Sequence, residues 1–166
     1  MSQWSSVVPT WTPVAVADAA AFTDNGHHTI QGGSTTQRVG LCEVVLQGQA
    51  PSTSSPCIMV VGRNSVVGVT LTAARLAAVD PSAVALAAPP LPYIASTTKP
   101  QRSATVGMLL SCSFNAYGGI FRYQYQGIGQ QISSLGNTQP LGELSLNAFT
   151  GGTPGLMASE IILEPQ

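Results

Sequence analysis

The stretch Arg38-Val-Gly-Leu-Cys-Glu-Val-Val-Leu-Gln47, the polar loop Gly48 to Pro56 and the run Cys57-Ile-Met-Val-Val61 together decide the fold class. The first run is rich in β-formers, and the second reads as a buried strand between turn residues. If residues 39–46 and 57–63 form a hairpin centred on Pro51 and Ser52, Cys42 faces a residue near Val61 and Cys57 one near Leu46. That register excludes a direct bridge between these two cysteines. Past Gly62-Arg63-Asn64 a further strand is expected over Ser65 to Leu71, which makes the pattern an antiparallel meander.

Downstream, Ala104 to Phe114 and Gly119-Ile-Phe-Arg-Tyr-Gln-Tyr-Gln126 continue it. In the latter, Phe121, Tyr123 and Tyr125 alternate with Arg122, Gln124 and Gln126, the period of a half-buried strand whose aromatic face points to a core. Gln130 to Leu135, Glu143 to Phe149 and Ala158 to Leu163 complete the series, with a turn at Gly127-Ile-Gly129. A single short helix is expected over Thr70 to Val79, where a Thr cap, alanines and the Pro81 stop coincide. Ser82 to Pro100, apolar and punctuated by proline, reads as a connection running over the fold or into an interface. About eight strands suffice for two packed sheets, so the expected fold is all-β: an antiparallel, jelly-roll-like β-sandwich.

Upstream, Trp4, Pro9, Trp11 and Pro13 precede the alanine-rich stretch Ala15 to Ala21. The expected organisation is an extended arm at residues 1–25, which either clamps a neighbour or covers its own sheet, and one sandwich domain at 26–166. Two echoes occur in the chain. Ser113-Phe-Asn-Ala-Tyr-Gly-Gly119 resembles Ser145-Leu-Asn-Ala-Phe-Thr-Gly-Gly152, as two equivalent strand-to-turn corners on the two sides of a sandwich would, and Ser34 to Arg38 resembles Ser96 to Arg102. The periods do not continue, so no solenoid is implied.

Charge is scarce. Asp, Glu, Lys and Arg make up 8% of the 166 residues, net charge is -1, and hydrophobic residues make up 44%. An ordinary soluble domain carries about 25% charge, and a free monomer keeps soluble with a mixed charged surface. This composition fits a surface occupied by neighbours, the alternative being a small monomer with a neutral polar surface. The six cations, Arg38, Arg63, Arg75, Lys99, Arg102 and Arg122, form no basic arm, which argues against direct nucleic-acid binding. Leu76 to Pro92 is broken by Asp80 and prolines, so no membrane span is expected, and Met1 to Thr10 does not read as a secretory signal.

Few residues suggest chemistry. Of seven carboxylates, Glu43 and Glu143, each inside a strand reading, are the ones to inspect, and pointing to solvent or pairing with Arg122 or Arg38 is a plainer role for them than catalysis. His27 and His28 follow a turn at Asn25-Gly26 and point to opposite faces of a strand, so they do not chelate one metal. Cys42, Cys57 and Cys112 have no zinc or redox spacing and read as buried free thiols. Nucleophile-elbow, phosphate-loop and dinucleotide motifs are missing. No catalytic residue, metal or cofactor is expected.

Taken together, the all-β pattern, scarce charge, Trp/Pro-containing N-terminal segment and Gly/Thr-rich corners such as Gly151-Gly-Thr-Pro-Gly155 resemble a virus or bacteriophage structural protein. The resemblance implies a coat or capsid-decorating subunit, without enzymatic activity, forming a homotrimer or larger ring with other capsid proteins. Lack of a basic arm places it on the outer surface of the virion, and its size favours decoration over shell building. Trp4, Trp11, Pro13, Tyr93 and Tyr117 are then the candidate interface residues. The competing expectation is a carbohydrate-binding or adhesion sandwich, which needs exposed Tyr or Trp in a groove.

Overall fold

Apolar side chains at every second position make strands that bury one face, and the computed structural model contains thirteen strands and no helix among the described residues, 2–50, 53–125, 131–137 and 140–166. In chain order they are β1 (Trp4–Trp11), β2 (His27–Gln31), β3 (Val39–Gly48), β4 (Pro56–Val66), β5 (Val69–Ala73), β6 (Arg75–Ala78) and β7 (Leu91–Thr98). Then follow β8 (Gln101–Arg102), β9 (Met108–Asn115), β10 (Ile120–Gln124), β11 (Ile132–Ser133), β12 (Glu143–Gly152) and β13 (Met157–Pro165). The first sheet runs β10-β3-β13-β1-β6 with β11 also on β3, and the second runs β5-β7-β2-β12-β4-β8 with β9 also on β4.

Eight of these strands pair in a nested way, β1 with β13, β2 with β12, β3 with β10 and β4 with β9, all antiparallel. Consecutive strands of this set lie in opposite sheets, except that β4 and β9 are neighbours in the second. Two further pairings, β13 with β3 and β12 with β4, wind the nested ladder into two facing sheets. The core between them is built by Val8, Val44, Leu46, Ile161 and Leu163 from one sheet and Ile30, Met59, Val61, Leu144 and Leu146 from the other. Each is buried, and full burial of such a side chain stabilises by about 1.5–3 kcal/mol.

Several expectations are corrected. β3 and β4 do not form a hairpin, because they lie in different sheets, and Pro51 and Ser52 fall outside the described residues. A bulge breaks the alternation of β3. The register against β13 shifts at Cys42, so Leu41 and Val44 both face the core. Residues 70–79 are not helical but form β5 and β6, bent at Ala74 from one sheet to the other. Helix propensity is a weak preference there, whereas half-burial of Leu76 and Ala78 against open sheet edges rewards period two.

Residues 4–11 are not an arm, since β1 lies between β13 and β6. Residues 12–26 form a strap over the outer face of the second sheet, the self-covering option of the two expected. It is fixed by Val16 N to Ala148 O, Ala19 N to Arg102 O, Phe22 N to Pro100 O and Asn25 N to Ile94 O. The two echoing corners also differ from expectation. β9 and β12 flank the same strand, β4, and their ends line one groove of about 360 Å³ together with Pro56 and Ile58.

Candidate functional site

Two strands carry polar residues at every second position: His27, Thr29 and Gln31 on β2, and Glu143, Ser145 and Asn147 on β12. The polar members share the outer face of the second sheet with Asn64, Tyr93 and Arg102, and all are buried. At the centre is the Glu143 carboxylate. Its Oε1 accepts from Gln31 Nε2 at 2.9 Å, Gly68 N at 2.7 Å and Tyr93 Oη at 2.7 Å, and its Oε2 from Asn64 Nδ2 at 2.9 Å. Ser145 Oγ in turn donates to Asn64 Oδ1 at 2.8 Å. Burial pushes the Glu143 carboxyl up, against the pull of these four donors, and it pushes the Tyr93 phenol well above its ordinary range, aided by the Glu143 charge.

Arg102 is fully buried beside this cluster. Nη1 donates to Asn147 Oδ1 at 2.6 Å and Nη2 to Val16 O at 3.0 Å, Nε pairs with Asp18, and the guanidinium lies 5.2 Å from the Phe149 ring centroid. Asp18 and Val16 belong to the strap, so one cation ties residues 12–26 to the sheet.

The histidines face opposite ways, as expected of neighbours on a strand. His28 points into the sandwich, hydrogen-bonded to Ser6 at 2.8 Å and Ser159 at 2.9 Å on the facing sheet. This Ser-His-Ser arrangement is sealed within the core, out of reach of substrate, and acts as a polar rivet between sheets. His27 packs under the strap with Nδ1 2.8 Å from Thr29 Oγ1, its ring 5.5 Å from those of Phe22 and Tyr93, while Nε2 has no partner. Burial lowers the pKa of His27 to about 4 and that of His28 to about 3.

Glu43 and Glu143 lie in different sheets and form no catalytic pair; Glu43 is held by Arg122, with Nη2 to Oε2 at 3.2 Å. Cys42, Cys57 and Cys112 are free thiols, the first two buried as expected and Cys112 only half-buried, all with pKa values raised by burial, Cys42 and Cys112 to about 11. Of the candidate interface residues, Tyr93 is wholly buried on Glu143, Trp11 and Pro13 are buried, Trp4 is half-buried on the core and Tyr117 is 54% exposed. Phe121 and Tyr123 of β10 pack on the core. The turn expected at Gly127-Ile-Gly129 lies outside the described residues.

The arrangement offers no open catalytic constellation among the described residues. What remains accessible is a surface with few charges and with exposed apolar side chains, including Val84, Ile120 at 80%, Val69, Met108 and Tyr117. Sequence reasoning missed Arg102, whose role depends on a strap that only the fold brings over it. The alternation in Glu143 to Ala148 is visible in the sequence, but it reads as a solvated face. Comparison with protein-family models, curated proteins and solved structures gave no match to this chain.

Proposed function

We propose that the chain is a non-enzymatic virion structural subunit, a coat or capsid-decorating protein with a jelly-roll fold that assembles with copies of itself. The nested pairing of eight strands carries this reading, because a long antiparallel ladder wound into two facing sheets is the jelly-roll arrangement, used by viral capsid and lectin domains and by cupins. Scarce charge supports assembly over the other two uses, since neutral surface is buried between subunits without the desolvation cost of lysine and glutamate. Burial of Trp11, Tyr93 and Phe114 speaks against a sugar-stacking platform.

A trimer or larger ring on the outer, genome-remote face of the particle is the form proposed. Its support is the engagement of the cations: Lys99, Arg102 and Arg122 pair with Asp24, Asp18 and Glu43, and Arg38 and Arg63 bind Ser133 and Ser134. Few remain for phosphates. Light scattering and electron microscopy of the purified chain test the reading. Symmetric oligomers or particles are expected, and a mass of 17.1 kDa at high concentration refutes assembly.

A further inference from the structure

Six strands stand at the sheet edges among the described residues, β10, β11 and β6 in the first sheet and β5, β8 and β9 in the second, of which β8 and β11 have two residues each. An edge displays unpaired N–H and C=O groups, and proteins that stay single defend it with charge, proline, shortness or irregularity. β6 has four residues and carries Arg75. β5 is irregular twice, with Thr70 in the left-handed region at φ 53° and a register shift between Thr72 and Ala73. β10 has five residues and carries Arg122. β9 is the least defended: its eight residues, Met-Leu-Leu-Ser-Cys-Ser-Phe-Asn, include no charge and no proline, and apart from one register shift at Leu109 its ladder on β4 is regular from Leu110 to Asn115.

We propose that β9 is a self-association edge, where a second copy of this chain adds its own β9 antiparallel about a two-fold axis at Cys112. The register follows from the ladder. Ala116 N donates to Ser55 O, so with alternation along the regular part of the ladder the amides of Leu110, Cys112 and Phe114 turn toward β4 and those of Ser111, Ser113 and Asn115 turn outward. Pairing the outward groups of the two exposed serines sets Ser111 opposite Ser113 of the second copy. The two Cys112 residues then form the central non-hydrogen-bonded pair, with Cα atoms about 4.5 Å apart, within disulfide reach.

A second copy is the fitting occupant because a chargeless edge is complementary to itself, with no like charges brought together. The strand is bordered by apolar side chains open to solvent, Val106 at 47%, Met108 at 45% and Ile58 at 37% exposure, and the exposed Ser111 and Ser113 are small enough for close approach. Within a trimer-based lattice this contact joins trimers.

This inference rests on the self-assembly reading, and the experiment separates the two. The full chain is sedimented as wild type, Ser113→Pro and Ser111→Lys, and each is treated with diamide and run on a denaturing gel. Proline at 113 removes an outward N–H and spares the β4 ladder, and lysine at 111 occupies an exposed position, so both variants are expected to melt as the wild type does. The wild type is expected to give a covalent dimer that Cys112→Ser abolishes, the two thiols passing two electrons and two protons to diamide as the S–S bond forms. Both edge variants should lose this dimer and associate on the order of tenfold more weakly. If the wild type assembles, the variants assemble equally well and no Cys112 dimer forms, the edge assignment is overturned while the assembly reading stands. A wild type that remains monomeric overturns both.

Discussion

Acid should destabilise this fold through its two buried histidines, well above the pH at which carboxylates titrate. Burial sets the folded pKa values at about 4 for His27 and about 3 for His28, against an ordinary 6.5. A lowered pKa means that the folded state keeps these rings neutral while the unfolded chain takes up protons below pH 6.5. Stability is therefore fully present above about pH 6.5 and is lost as pH falls toward the folded values. With about 1.4 kcal/mol per pKa unit, each histidine costs about 2 kcal/mol at pH 5, roughly 4 kcal/mol together. That is a large part of a typical folding free energy. Glu143 acts in the opposite direction, since its raised pKa makes the folded state bind a proton more readily as pH falls. Urea unfolding followed by tryptophan fluorescence in dilute protein, at pH 7.5, 6.5 and 5, measures the slope. His28→Asn should lower stability at neutral pH and remove about half of the pH dependence. A stability that stays level from pH 7.5 to 5 in both wild type and Glu143→Gln, or a slope unchanged in His28→Asn, would refute the reasoning.

Other outcomes are open to measurement. Glu143→Ala leaves Gln31, Asn64, Gly68 and Tyr93 without their acceptor, and denaturant unfolding should show a loss of about 3–5 kcal/mol, with Glu143→Gln losing less. Thr70→Gly relieves a β-branched residue at φ 53°, and thermal melting should show no loss or a gain of up to about 1 kcal/mol. Arg102→Met frees the strap from its Asp18 and Val16 contacts, so limited proteolysis should cut within residues 12–26 before the rest of the chain.

The fold class was legible because period-two patterning in β10 and β12 and β-forming apolar runs in β3, β4 and β13 are carried by the residues of each strand itself. Boundaries and partners were less so. The Val39 and Cys57 runs look like the arms of a hairpin, but they do not pair with each other, and each pairs along its length with a strand from the far end of the chain, β13 and β12. Sequence proximity says little when a ladder is nested and wound. Thr70 to Val79 was misread for a different reason. Its alanines favour a helix locally, whereas the open edges of β1 and β7 offer backbone partners that only the assembled sheets provide. The polar layer failed on burial, because alternation identifies a face and not what covers it, and the covering strap is an unpatterned, alanine-rich segment.

The strands inserted between β4 and β9 give the molecule a direction. Without β5, β6 and β7, the nested eight would end at β1 and β2 on one flank and at β9 and β10 on the other. The insertion lays β6 on β1 and β7 on β2, with β5 beyond it, so one flank is closed by the chain itself and finishes in short or irregular strands. On the opposite flank Arg122 marks β10, while β9 is left long and neutral. If edge exposure were merely tolerated, the two flanks would be expected to carry similar defences. Their asymmetry fits a chain whose second flank is covered by another molecule, and the side chains near β9, apolar or small, are suited to that covering.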